Sequence, residues 1–183
     1  MRHGDWIQTY CGVAFYPLDP RPEEILIEDI AHALSMLCRF TGHVKRFYSV
    51  AQHCVYVSHR CDPKDALWGL LHDAAEAYLN DLSRPVKRLR ELTLYKQAEE
   101  KLCSIIAERF GLSREEPESV KCADVLMLGI EARDLMSPLV QPENWAWCVD
   151  LSRECEFKID RTWSPGEAEE RYLQRFAELS KLT

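Results

Sequence analysis

At 183 residues, with 46% hydrophobic and 29% charged side chains, the chain has the profile of a globular domain large enough to bury a core without staples. Its net charge of −7 argues against coating a nucleic-acid polymer, which wants a basic surface, but leaves room for a single nucleotide held by a few local cations. Eight cysteines without a CxxC pair, an N-terminus lacking an apolar signal core and no run of membrane-spanning length predict a reducing, cytoplasmic setting with no membrane partner.

In chain order, Thr9, Cys11, Val13 and Phe15 alternate around Gly12 and predict a short N-terminal β-hairpin, which the proline-rich PLDPRP stretch ends. Residues 27–40 read as a helix with Glu28 and Asp29 in its first turn, Arg39 in its last and Gly42 as its stop. His32 and His43 lie here, and a lone histidine is more often structural than a ligand. The spacing predicts a second helix over 49–60, where Val50, His53, Cys54 and Val57 follow the i, i+3, i+4, i+7 rule, so His53 joins the buried stripe. A third over 64–79 carries His72 and Asp73 behind Leu70 and Leu71, with Glu76 four residues after His72 on the same face.

Ser83 then caps a short helix bearing Lys87, Arg88 and Arg90. An amphipathic helix over 94–110 turns Ala98, Leu102, Ile105 and Ile106 inward, and a further helix over 118–136 sets Val120, Asp124, Met127 and Glu131 on one stripe. The cysteines at 38, 54, 103 and 122 fall on these helices as small hydrophobes. Residues 139–163 show little periodicity but three tryptophans, Trp145, Trp147 and Trp163; they read as a loop with a strand and carry no functional pattern. Ser164 to Glu167 is a capping-box start for a closing helix with Ala168, Tyr172, Phe176 and Leu179 inward. Without repeats or low-complexity segments, residues 1–183 are expected to form one all-α domain.

Buried ionisable groups are costly unless paired, hydrogen-bonded or metal-bound, so His53, His72, Asp73 and Asp124 on three helices need an explanation. Two imidazoles and two carboxylates suit a divalent ion such as Mn²⁺, Fe²⁺, Co²⁺ or Zn²⁺ better than a thiolate-bound structural zinc. Such an ion lowers the pKa of bound water and provides a nucleophile near neutral pH. The plainer alternative is a chance His-Asp dipeptide with Asp124 merely capping or pairing.

The order H…HD…D, with YSVAQH, LLHDAAEAY and ADVLMLGIEARDL, resembles the HD-domain phosphohydrolase superfamily, and within it the small bacterial 5'-deoxynucleotidases and phage deoxyadenosine triphosphohydrolases. The resemblance spans about residues 12–135 and implies an HD-domain helical bundle with His53, His72, Asp73 and Asp124 as metal ligands, Mg²⁺ being a further possible ion. It implies Glu76 as general acid/base, Asp81 as the residue that orients the attacking water or helps hold a further ion, Arg39 and Lys87 on the phosphates, and Phe40 against the nucleoside. Glu131, Arg133 and Asp134 are expected to line the pocket or buttress Asp124. The implied reaction is metal-dependent hydrolysis of a deoxynucleotide at the α-phosphorus, releasing phosphate from a monophosphate or triphosphate from a triphosphate such as dATP. The implied assembly is a homo-oligomer. The basic run Arg84, Lys87, Arg88 and Arg90 leans toward a polyphosphate. A guanosine alarmone hydrolase and a non-catalytic nucleotide-sensing module are the competing readings.

Overall fold

The computed structural model describes residues 2–181, which are mostly helical with one two-stranded sheet. The all-α expectation therefore holds, hairpin included. Strands β1 (Ile7–Gln8) and β2 (Ala14–Phe15) pair antiparallel with Ile7 opposite Phe15, and Gly12 turns the chain at φ +87°. Phe15 is fully buried and stacks on Tyr78 at 4.1 Å, which fastens the arm to the helical body.

Helix α1 (Ile27–Met36) ends before residue 40. Tertiary pairing overrides local propensity here: Cys38 bridges Ser49, the Arg39 amide donates to Tyr48 O at 2.9 Å, and the Val50 amide donates to Leu37 O at 3.0 Å. Cys38 therefore lies on extended backbone, and Cys122 is exposed, so the packing role expected for the four cysteines fits Cys54, which is buried, and Cys103, which is partly buried against the core. Phe40 and Thr41 follow with φ of 57° and 54°, a left-handed conformation that costs a non-glycine residue about 1–2 kcal/mol. Gly42 continues the same turn at φ +81° and is not the stop of α1.

Helix α2 (Val50–Ser58) is the hub, packed against α1 and against α3, α7 and α9, whose ranges follow. Ser49 caps it by accepting the Gln52 amide at 3.1 Å, and nearly every side chain on it is buried. The helix expected over 64–79 is broken into α3 (Ala66–Leu71), a turn, and α4 (Glu76–Leu79). Through the break the ladder tightens to i+3 bonds: Ala74 to Leu71 O, Glu76 to Asp73 O, Ala77 to Ala74 O. Gly69 brings α3 onto the end of α2, since a Cβ there would lie 2.8 Å from Cys61 Sγ and 3.1 Å from Ser58 Cα.

Short helix α5 (Arg84–Lys87) leads to α6 (Thr93–Arg109), which buries Leu102 and Ile106, and to α7 (Glu118–Leu135). Ser83 precedes α5, but its side chain makes no capping bond. Residues 139–163 contain no strand; Pro142–Trp145 forms a 3₁₀ turn into α8 (Ala146–Arg153). That helix seats on α7 over Gly129, where a Cβ would come within 2.2 Å of Cys148 O, so its existence depends on a neighbour and not on its own pattern. The extended stretch after it is tied down by Arg133, which donates to Ser152 O, Cys155 O and Phe157 O, and by Asp134, which accepts the Ile159 amide at 2.9 Å. Helix α9 (Pro165–Leu179) closes the bundle, with the Tyr172 hydroxyl donating to Leu70 O at 2.8 Å. Only half of its capping box forms: Ser164 accepts the Glu167 amide, while the Glu167 carboxylate pairs with Arg161 and Arg171. Among the described residues no helix is long and apolar enough to cross a membrane.

Candidate metal centre

Helix α2 carries His53 into the core with no exposed surface, and the tightened turn after α3 brings His72 and Asp73 to face it. The imidazole orientations are set from behind. His53 Nδ1 lies 2.6 Å from Glu131 Oε1 and His72 Nδ1 lies 2.9 Å from the Gly69 carbonyl. Both partners can only accept, a carbonyl always and an ionised carboxylate likewise, so each Nδ1 carries a proton and each Nε2 points at the other, 3.2 Å apart.

Two carboxylates complete the cluster. Asp73 Oδ2 is 3.2 Å from His72 Nε2 and 3.7 Å from His53 Nε2; Asp124 Oδ1, from α7, is 3.2 Å from His53 Nε2 and 4.0 Å from His72 Nε2. Metal–nitrogen and metal–oxygen bonds of about 2.1 Å in tetrahedral geometry separate donors by about 3–3.5 Å, which the 3.2 Å separations match and the 3.7 and 4.0 Å ones exceed, so His53, His72 and Asp73 form the compact group and Asp124 stands at its edge. The His53, His72 and Asp73 donor atoms all lie within 4.8 Å of one another. Opposed lone pairs beside two carboxylates repel unless positive charge sits among them. Asp73, Asp124 and Glu131 against the single guanidinium of Arg39 leave two negative charges, the complement of a divalent cation.

Protons meet the same demand when they are what is available. Burial pulls His72 down, but Asp73 beside it holds it well above the ordinary histidine value. Burial and then Arg39 oppose protonation of His53, yet Glu131 and Asp124 hold it above the ordinary value too. Burial would raise Asp124, but His53 brings it down to about 2.

Glu131, expected to line the pocket or buttress Asp124, is not on the cavity wall. It instead buttresses His53 and Arg39: fully buried, it also accepts from the Tyr48 hydroxyl at 2.9 Å and from Arg39 Nε at 3.2 Å. Arg133 and Asp134 do not line the cavity around the site; they anchor the stretch after α8. Tyr48 opens the YSVAQH string but has no role assigned there; its place across the Arg39 bridge and its bond to Glu131 supply one.

Arg39, Phe40, Asp73, Glu76, Asp81 and Lys87 open together onto one cavity of about 1240 Å³. Every nitrogen of the Arg39 guanidinium faces a carboxylate, Nε and Nη2 at 3.2 Å from Glu131 Oε2 and Nη1 at 3.3 Å from Asp73 Oδ2. Glu76 is 7% exposed; its Oε2 has no hydrogen-bond partner among the described residues, and its Oε1 is 3.4 Å from Lys87 Nζ. Burial, then Asp73 and Asp81, raise its pKa well above the ordinary carboxylate range. Lys87 is held at 2.7 Å by Glu99, a residue to which the resemblance assigns no role. Asp81 is half-buried and also raised, by burial and Asp73. Of the basic run, Arg84, Lys87 and Arg88 reach the cavity; Lys96 joins them and Arg90 does not. His32 is remote from the cluster, stacked on Tyr10 at 3.7 Å and bonded to Glu169, whereas His43 lies on the cavity wall.

No protein-family model matches the chain. It is 40% identical over 177 residues to the uncharacterized protein YfdR of Escherichia coli strain K12, an alignment covering 97% of each chain. It is 34% identical over 143 residues to the uncharacterized protein RCAP_rcc00048 of Rhodobacter capsulatus, covering 71% of this chain and 72% of that one. Identity at that level across nearly the whole length means that the chain belongs to the family of YfdR.

Proposed function

We propose that this protein is a divalent-metal-dependent phosphohydrolase of deoxynucleotides with an HD-type site. The observation that carries the reading is the group of His53, His72 and Asp73 donor atoms within 4.8 Å of one another, with Asp124 Oδ1 3.2 Å from His53 Nε2 and a buried glutamate with an unpartnered oxygen on the same cavity. His53, His72, Asp73 and Asp124 would hold the ion. When bound, it supplies Lewis acidity toward water and phosphoryl oxygen.

The reaction joins a water oxygen to the α-phosphorus and breaks the bond from that phosphorus to the sugar 5'-oxygen, releasing the deoxynucleoside with phosphate or triphosphate. Glu76 takes the proton from the water and returns it to the departing 5'-oxygen. Its buried setting beside Asp73 and Asp81 gives it the elevated proton affinity such a two-way transfer needs. Lys87 and the positive charge of Arg39, which opens onto the same cavity, balance the charge that builds on the phosphoryl oxygens, and Asp81 orients the water. A pure sensing module gains nothing from a buried acid at that position, which favours turnover over binding alone.

The test is metal analysis of protein purified without chelator, followed by phosphate and triphosphate release across a panel of ribo- and deoxynucleotides. Deoxynucleotide turnover is expected, lost in Asp73→Ala with its metal and reduced about 10²–10⁴-fold in Glu76→Gln with metal retained. Full activity in either variant, or tight nucleotide binding by metal-loaded protein without product, overturns the proposal.

A further inference from the structure

The cavity is larger than a metal centre needs, and it is lined by both cationic and aromatic side chains. From α5 and α6 it takes Lys87, Arg88 and Lys96, and from the turn into α8 and α8 itself it takes Trp145 and Trp147. The position of these tryptophans follows from how α8 lies on α7. Cys148 seats over Gly129 and Ser152 O accepts from Arg133 Nη1 at 2.8 Å, the same sequence offset in both contacts, so the two helices run parallel. Continued back by one turn, that register sets Trp145 alongside the part of α7 that carries Asp124.

Trp147 is 47% exposed, yet its ring is not free to turn. Its indole Nε1 donates to Asn144 O at 3.1 Å, and the Arg84 guanidinium sits 5.2 Å from its centroid. A large aromatic ring partly open to solvent, on the wall of a cavity that Lys87, Arg88 and Lys96 also line, matches a ligand that is planar at one end and polyanionic at the other.

We propose that Trp145 and Trp147 are the nucleobase platform of this cavity, stacking a ring whose phosphates extend toward Lys87, Arg88 and Lys96. The proposal rests on the cavity being a nucleotide site and deepens that reading by naming the ligand as a nucleoside polyphosphate. Stacking is tolerant of base identity because every base has a π-face, so the platform discriminates nucleotide from bare polyphosphate more than base from base.

The test is titration calorimetry on the metal-loaded full chain carrying Glu76→Gln, which suppresses turnover, with a deoxynucleoside triphosphate and inorganic triphosphate as the two probes. Adding Trp147→Leu or Trp145→Leu is expected to weaken the nucleotide about tenfold and leave inorganic triphosphate unchanged. Trp147→Phe, which keeps a stacking face, is expected to restore most of the loss. Equal loss for both probes, no loss for the nucleotide, or a Trp147→Leu protein whose oligomeric mass has changed overturns the platform. The two readings fail separately: tryptophan-dependent binding with no turnover by the parent protein sinks the hydrolase and spares the platform, while turnover with a KM indifferent to both tryptophans does the reverse.

Discussion

Replacing Glu131 by glutamine probes the cluster from behind without touching a donor atom. The side chain is fully buried and serves three partners at once: His53 Nδ1 at 2.6 Å, Tyr48 at 2.9 Å and Arg39 at 3.2 Å. Burial alone would raise its pKa, but Arg39 and then His53 hold it below the ordinary glutamate value, so the native group is a carboxylate. The amide keeps the volume and can still accept from His53 and Tyr48 through its oxygen, yet it turns an NH₂ toward the guanidinium. Breaking a buried charged pair costs about 3–5 kcal/mol, and Asp73 still faces Arg39 at 3.3 Å, so a loss near the lower end, about 3 kcal/mol, is expected. Metal affinity should fall about 10–100-fold, as when an outer partner of a liganding histidine is removed. Urea unfolding of the metal-free protein reads the first quantity and a competitive metal titration the second. A Glu131→Gln protein that keeps its metal affinity and loses under about 0.5 kcal/mol would refute the assignment of His53 as a ligand oriented by this carboxylate.

Three further outcomes follow from the same geometry. Because His53 and His72 are both held above the ordinary histidine value, the metal-free protein carries stability that is complete below about pH 6.5 and declines as pH rises through the raised values. A cation must displace those protons, so metal titrations at increasing pH should show tighter binding with proton release, and pH-independent affinity would exclude the pair as ligands. Gly129→Ala forces a Cβ to within 2.2 Å of Cys148 O and should cost about 2–3 kcal/mol or more, with α8 displaced and the emission of Trp145 and Trp147 altered; an unchanged unfolding midpoint contradicts the seating of α8. Thr41→Gly relieves a φ of 54° at a β-branched residue and should stabilise the fold by about 1 kcal/mol while loosening the turn that presents Phe40; lower stability in thermal unfolding contradicts the strained turn.

The candidate metal donors stood out before any coordinates because His53, His72 and Asp124 sit at helical periods among apolar neighbours, but spacing left a chance His-Asp dipeptide open and it was the family resemblance that named the set. Periodicity tells which face of a helix a residue occupies, and His53, His72 and Asp124 occupy the faces expected of them. Local pattern cannot say where a helix yields to a partner. Helix α1 ends early because Arg39 and Tyr48 exchange a backbone bond, and the HD turn leaves α geometry as its ladder tightens. Nor can it say which buried groups meet: Glu131 supports His53 and Arg39, not its own helix neighbour Asp124, because α2 and α7 cross there. Helix α8 and its tryptophans were least legible of all, since an eight-residue amphipathic segment has little intrinsic preference and forms where a missing side chain at Gly129 lets it close on α7. Side-chain chemistry, spacing and the resemblance thus picked out the candidate donors, while distances between elements, which depend on packing across the whole core, decided what each of them faces.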